Sequence, residues 1–274
     1  MTDNEIENFV KQTIRENVID IPKNDLNDIY KKWQNNEKAS NSVFDRSLMQ
    51  SLQCVPHNSY LLGVDFPFWF GDLKANIKRI MIVGVDPLRN KTDFKKANIH
   101  QNVLISTPYA LHSETARNGI TKAYWAFVES LSANHFVYLT DIYKSFFYVD
   151  NPKMTRSYNY YPKQQGSVEN QRSILIKEID FLKPDVIITF GSIAFLKLTS
   201  KKYVKLGNGI DYNKTYLEEF NEIPVLPFMH LSGSTRDKNL EDFLKVHKVE
   251  KKKEGRVGYG SAYAEIIENS FINN

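Results

Sequence analysis

Two carboxylates and one imidazole stand where this chain could do chemistry. Asp86, Asp141 and His230 each follow a short apolar run, in IMIVGVDPLRN, FVYLTDIYK and VLPFMHLSGSTRD. A carboxylate can face developing positive charge, and an imidazole can donate a hydrogen bond to developing negative charge. A fourth run, DVIITFGS, has the same form. Short runs rich in Val, Ile and Phe, separated by helical patterns, read as parallel strands of an α/β sheet, whose ligands gather beyond the carboxyl ends of the strands. Asp86, Asp141 and His230 are therefore expected to converge on one crevice, which points to an enzyme rather than a binding scaffold.

The elements that must position them follow from pattern and punctuation. Strands are expected at Arg79 to Gly84, Phe136 to Thr140, Val186 to Phe190 and Val225 to Met229, with helices at Thr121 to Ser132, Val168 to Leu182 (Ser167 as N-cap) and a short one ending near Thr199. The order is β-α-β-α-β-α-β. The expected class is α/β: a three-layer α/β/α arrangement with a central four-stranded, mainly parallel sheet and an N-terminal helical extension. Two long connections, Asp86 to Gly119 and Tyr143 to Gly166, begin at strand carboxyl ends, where long loops are usually functional.

Ahead of the sheet, Ile6, Phe9, Val10 and Ile14 recur at helical spacing from Asp3 to Asn17, with Asp3 as a possible cap. Further helices are expected at Leu26 to Trp33 and Val43 to Leu52, and Cys54 to Asp72, interrupted by Pro56, Pro67 and Gly71, reads as an ordered aromatic loop. The expected division is residues 1–72 for the extension and its loop, and 73–274 for the α/β domain.

Composition narrows the function classes. The single Cys54 excludes an internal disulfide framework and a cysteine-held zinc or iron–sulfur site within one chain. No stretch of about 18 apolar residues is present, and MTDNEIENFV lacks a charged-then-apolar signal pattern, so a cytoplasmic protein without membrane association is expected. A net charge of +4 and a pI near 8.8 permit a polyanionic partner without demanding one. The clearest basic cluster, Lys245, Lys248, Lys251, Lys252, Lys253 and Arg256, reads as a solvated face or a phosphate track. No Gly-x-Gly-x-x-Gly follows a strand and no Walker loop occurs, so neither a nicotinamide cofactor nor ATP is indicated, and no metal-ligand cluster accompanies the His–Asp pair.

Four segments together resemble the uracil-DNA glycosylase superfamily, over roughly Arg79 to Asn239. Gly84-Val85-Asp86-Pro87 is similar to its first motif, a strand followed by Gly-x-Asp/Ala-Pro. Leu139-Thr140-Asp141-Ile142-Tyr143-Lys144 falls where the family carries a strand ending in Asn. The segment Leu182 to Ala194 resembles its helix–strand–helix unit, and His230-Leu231-Ser232-Gly233-Ser234-Thr235-Arg236 resembles its His-Pro-Ser loop. Cleaving an N-glycosidic bond builds positive charge on the sugar and negative charge on the leaving base. The resemblance makes Asp86 the anion that faces the sugar and orients water, and His230 the donor to the base. The base would be flipped out of the stack into a pocket formed with Gly84, Val85, Pro87, Leu88, Asp141 and Ser232, and Arg236, Ser234 or Thr235 would fill the gap in the DNA. No cofactor and no metal are implied. No lysine is assignable to strand cleavage, so a monofunctional enzyme leaving an abasic site is expected. The partner implied is single- or double-stranded DNA, bound by a monomer with no inferable protein partner.

Three departures bear on the substrate. Where the most selective uracil enzymes place a Tyr after Asp-Pro to exclude C5 substituents, this chain has Leu88. The stacking Phe falls near Ile105, with Tyr109 as another source of a ring. At the Asn position stands Asp141, which when ionised only accepts hydrogen bonds and suits the N4 amine of cytosine. A cytosine derivative carrying a C5 group, as in some phage DNA, is one expected substrate. Uracil is another, if burial keeps Asp141 protonated and so like Asn. Tyr143, Phe146, Phe147, Tyr148, Tyr158, Tyr160 and Tyr161 interleave with Lys144, Lys153, Arg156 and Lys163, a mixture that suits base stacking and phosphate contact by Lys144 and Arg156, or simply core packing under a long loop. A catalytically silent DNA binder and an unrelated α/β enzyme for a small anionic ligand complete the alternatives.

Overall fold

The computed structural model describes residues 1–35, 42–45, 47, 50–51, 59–74, 77–85, 98, 101–149, 165–200 and 223–272. In chain order the elements are α1 (Asp3–Asn17), β1 (Ile19–Asp20), α2 (Lys23–Gln34), β2 (Ser42–Asp45), β3 (Gln50–Ser51), β4 (Ser59–Asp65), β5 (Phe68–Phe70), β6 (Arg79–Gly84), β7 (Asn102–Ser106), α3 (Glu114–Asn118), α4 (Lys122–Ser132), β8 (Phe136–Asp141), β9 (Ser145–Val149), α5 (Gln165–Leu182), β10 (Val186–Phe190), α6 (Ser192–Thr199), β11 (Val225–Phe228), α7 (Asp237–Val246) and α8 (Gly255–Ile267). The class is mixed α/β, as the sequence predicts.

The chain forms two compact units, each assembled from separate segments: 1–68, 86–115 and 140–181 in the first, and 69–85, 116–139 and 182–274 in the second. The second unit is built on a sheet ordered β11-β10-β6-β8-β5. It has five strands rather than the expected four, because Phe68–Phe70, read from its prolines as loop, forms its edge strand. Strands β6, β10 and β11 run parallel, with Val83 and Pro227 both level with Thr189. Their residues are buried on both faces, which explains why they read as unbroken apolar runs rather than alternating ones. On this sheet Phe127, Phe190, Phe228, Phe243 and Tyr263 form an aromatic cluster with ring separations between 4.9 and 6.4 Å. Helices α4 and α8 pack closely because α8 offers Gly260: a Cβ there would lie 2.1 Å from the Ala123 carbonyl oxygen.

The first unit corrects the expectation of a purely helical N-terminal piece. Residues 43–52, expected as helix, contribute β2 and β3 instead, and 54–72, expected as loop, contributes β4 and β5. The two long connections also supply strands, β7 and β9, and these complete a four-stranded sheet ordered β2-β7-β4-β9. Pairing across the sheet decides this: Val43 sits opposite Leu104, and Leu61 opposite Phe147, so long-range ladders override local helical spacing. Helix α1 begins at Asp3 as expected, but its cap is Thr2, which forms a reciprocal capping box with Glu5. Helix α2 buries Leu26, Ile29, Tyr30 and Trp33, and the Tyr30 hydroxyl donates to the Pro67 carbonyl at 2.7 Å.

Candidate active site

His230 lies two residues beyond β11, at the carboxyl edge of the parallel strands, and Gly84 and Val85 lie at the same edge at the end of β6. Two strand spacings separate β6 from β11, about 10 Å. Between them Gly191 turns the chain from β10 into α6 at φ +86°, a conformation that calls for glycine, with the His230 ring 3.6 Å from where a Cβ would sit.

The imidazole is held on several sides. Its Nδ1 hydrogen-bonds the Tyr124 hydroxyl of α4, the two rings meeting edge to face at 5.6 Å. Phe190 lies 6.3 Å away and itself meets Tyr124 edge to face at 5.2 Å. Burial lowers the His230 pKa, so the ring is neutral near pH 7. Burial also pushes the Tyr124 phenol well above its ordinary value, against hydrogen bonds from Leu231 and Ser232 and the positive Arg256, which act in the opposite sense. Tyr124 therefore keeps its proton.

The segment after His230 is tied down by α8. The Arg256 guanidinium donates to the Ser232 carbonyl at 3.0 Å and the Thr235 carbonyl at 2.6 Å, and pairs with Asp237 at 2.8 Å. The Thr235 amide closes a turn onto the Ser232 carbonyl at 3.1 Å, and the Ser232 and Ser234 hydroxyls bond at 2.7 Å. Leu231 is buried, Ser232 and Thr235 are half-buried, and Ser234 and Arg236 are exposed. Arg256, grouped by sequence with the basic cluster, is a loop clamp. Lys245, Lys248 and Lys251 to Lys253 are exposed; Lys251 covers the Tyr259 ring at 4.6 Å, and Lys252 pairs with Glu265 at 2.6 Å.

The remaining described site residues belong to the first unit. Asp141 closes β8 and is 3% exposed. Lys144, expected to meet a phosphate, is instead buried to 2%. Its ammonium bonds Glu178 of α5 and the Asp141 carbonyl, both at 2.6 Å, and also Thr140. Thr140 in turn donates to the Glu178 carboxylate at 3.1 and 3.2 Å. Lys144 thus holds the turn after β8 from inside. Tyr143, Phe146 and Phe147 are buried as well, so for them core packing holds over base stacking.

Ile105 has no exposed surface and stands in β7 between Ser42 and Val64, so it offers no face to a base. Tyr109 is half-buried, and both it and Ala110 hold the left-handed region at φ 58° and 53°. Strain of this kind, roughly 1–3 kcal/mol per residue, persists only where neighbours enforce it. Here the Ala110 amide bonds the Thr107 carbonyl at 2.7 Å, and the Thr107 hydroxyl bridges the His112 amide and Nδ1 at 3.2 and 3.0 Å. Asp86, Pro87, Leu88 and Arg156, with Tyr158, Tyr160 and Tyr161, lie outside the described residues.

The sequence model of the uracil DNA glycosylase superfamily matches residues 70–251. This chain belongs to that superfamily. No curated protein matches it. Members of the uracil DNA glycosylase superfamily are hydrolases that act on DNA, and the matched span contains the Gly84-to-Pro87 motif, Asp141 and the His230 loop. Among the described residues no helix is long and apolar enough to cross a membrane. Two site residues of this superfamily member escape a reading of its sequence: Tyr124, 106 positions before His230, and Arg256, hidden among lysines. Neither carries a motif.

Proposed function

We propose that this protein is a monofunctional DNA glycosylase that hydrolyses the N-glycosidic bond of a flipped cytosine derivative, C5-substituted forms included. The observation that carries the glycosylase reading is the family match over a span whose last strand, β11, leads into His230. A neutral imidazole in a largely buried setting suits donation to a base oxygen as charge collects there. Asp86 faces the positive sugar and orients water. The electron pair of the bond leaves with the base, the water oxygen adds to the sugar carbon, and the water proton is released to solvent or the departing base. An abasic site remains.

The choice of base rests on Asp141 and Leu88. A carboxylate accepts from an exocyclic amine and is mismatched to a carbonyl, and Leu88 leaves room that a tyrosine would fill. Asp141 is almost completely buried, and where that burial keeps it protonated the second reading, release of uracil, is favoured instead.

The test incubates the protein with single- and double-stranded DNA containing cytosine, C5-modified cytosines or uracil and measures free base and abasic sites. Release of a cytosine derivative is expected, lost in Asp86→Asn while DNA affinity persists; Asp141→Asn should shift release toward uracil. Release of uracil alone by the parent overturns the cytosine assignment, and tight binding without any release identifies a silent binder.

A further inference from the structure

A lysine ammonium has three N–H donors, and at Lys144 three buried acceptors meet them: the Asp141 carbonyl and the Glu178 carboxylate, both at 2.6 Å, and the Thr140 hydroxyl. Thr140 closes the ring by donating to the same carboxylate at 3.1 and 3.2 Å. All four residues belong to the first unit and are at most 3% exposed. The main chain of Lys144 is anchored separately. Its carbonyl accepts from the Asp65 amide at 3.0 Å, and Ser145, next in sequence, pairs with Val64 of β4. From that fixed point the side chain reaches back three residues to the last residue of β8.

A buried ion pair adds little net stability, because desolvation of both charges offsets their attraction, and an apolar pair of like volume could fill the same space. What an apolar pair could not supply is a donor to the Asp141 carbonyl. That bond helps fix the peptide group attached to the Asp141 Cα, and with it the direction of the side chain. We propose that Lys144, held by Glu178 and Thr140, is a positioning residue for Asp141: it sets where the carboxyl group stands, and so how sharply the site separates a base bearing an exocyclic amine from one bearing a carbonyl. The positioning stands on the hydrogen bonding; the base selection rests on the reading of Asp141 as the group that meets the base. In either protonation state of Asp141 the discrimination needs a fixed partner, since a carboxyl group that shifts can adapt to either kind of edge.

The test combines Lys144→Met with Glu178→Leu, which removes both charges together and strands neither. It compares kcat/KM on DNA containing a cytosine derivative with kcat/KM on DNA containing uracil. Whichever base the parent prefers, the preference is expected to shrink by about tenfold, the effect of a misplaced hydrogen-bonding group. A merely structural role would slow both substrates alike, and an unchanged ratio overturns the proposal. In an Asp141→Asn background the double replacement should move the ratio no further; an equal shift with and without Asp141 refutes the positioning role. Should the double replacement fail to fold, Thr140→Val takes away only the hydroxyl and is expected to move the ratio in the same direction. Amide hydrogen exchange reads the positioning without any chemistry. Exchange across residues 140–146 should rise by about tenfold in the variant relative to residues 172–182 of α5, and an unchanged rate overturns the proposal. Absence of release from the parent counts against the glycosylase reading, and the exchange measurement then decides the positioning by itself.

Discussion

Replacing Lys144 by Met would show whether the turn after β8 is held from inside. Lys144 and Glu178 are each 2% exposed and 2.6 Å apart. Removing the ammonium takes its 2.6 Å partner from the buried Glu178 carboxylate and leaves the Asp141 carbonyl without the 2.6 Å bond from Lys144. Breaking one side of a buried pair costs about 3–5 kcal/mol, which in a unit of this size lowers the melting temperature by on the order of 10 °C. Replacing both partners, Lys144→Met with Glu178→Leu, removes the stranded charge as well, and should recover more than half of that loss. Urea unfolding followed by tryptophan fluorescence reads Lys144→Met, Glu178→Leu and the double variant, since Trp33 is buried in the same unit. Were Lys144 a phosphate contact, the outcome would be opposite: unchanged stability within about 1 kcal/mol, weaker DNA binding and a shallower salt dependence. That result, or a double variant as unstable as the sum of the singles, would refute the argument.

Two further perturbations test the second unit. Gly260→Ala places a methyl 2.1 Å from the Ala123 carbonyl oxygen and should cost about 1–3 kcal/mol by forcing α8 off α4; an unchanged melting temperature would show that the helices part freely. His247, packed 4.6 Å from Phe243, has its pKa lowered by burial to about 4. The unfolded chain takes up that proton near pH 6.5, so the stability associated with the neutral ring is complete above about pH 6.5 and declines as pH falls toward about 4. Partial exposure reduces the effect to roughly 1 kcal/mol, and His247→Gln should narrow the difference in melting temperature between about pH 7.5 and about pH 5.

The sequence makes β6, β8, β10 and β11 legible because each of them is written locally, unlike the edge strand β5. Arg79–Gly84 and Val186–Phe190 are apolar runs closed by glycine or a turn, and being covered on both faces they need no partner to be recognised. Residues 43–52 and 59–65 are different. Strands β2 and β4 are set by β7 and β9, which lie far along the chain, and β3 by β1, so local spacing misleads. Side-chain environments are harder still. In Asp-Ile-Tyr-Lys-Ser-Phe-Phe the lysine beside aromatics looks like a surface contact for nucleic acid, and only Glu178, 34 residues on, reveals it as buried. Tyr124 sits in a helix whose apolar face explains it fully until its hydroxyl is seen against His230.

In the second unit, stability and chemistry share one seam. Tyr124, next to Ala123 on α4, holds His230; Arg256, near the start of α8, holds the carbonyls of Ser232 and Thr235. The two helices are set against each other where Gly260 meets the Ala123 carbonyl. A shift along that seam would move the clamp on the loop relative to Tyr124, the hydrogen-bond partner of His230. This locates the tolerance of the site in backbone packing rather than in the exposed loop: Ser234 and Arg236 can vary without disturbing His230, whereas a single methyl at Gly260 should reach it. Geometry at His230 is thus set by α4 and α8, and the loop between β11 and α7 carries the imidazole without having to position it alone.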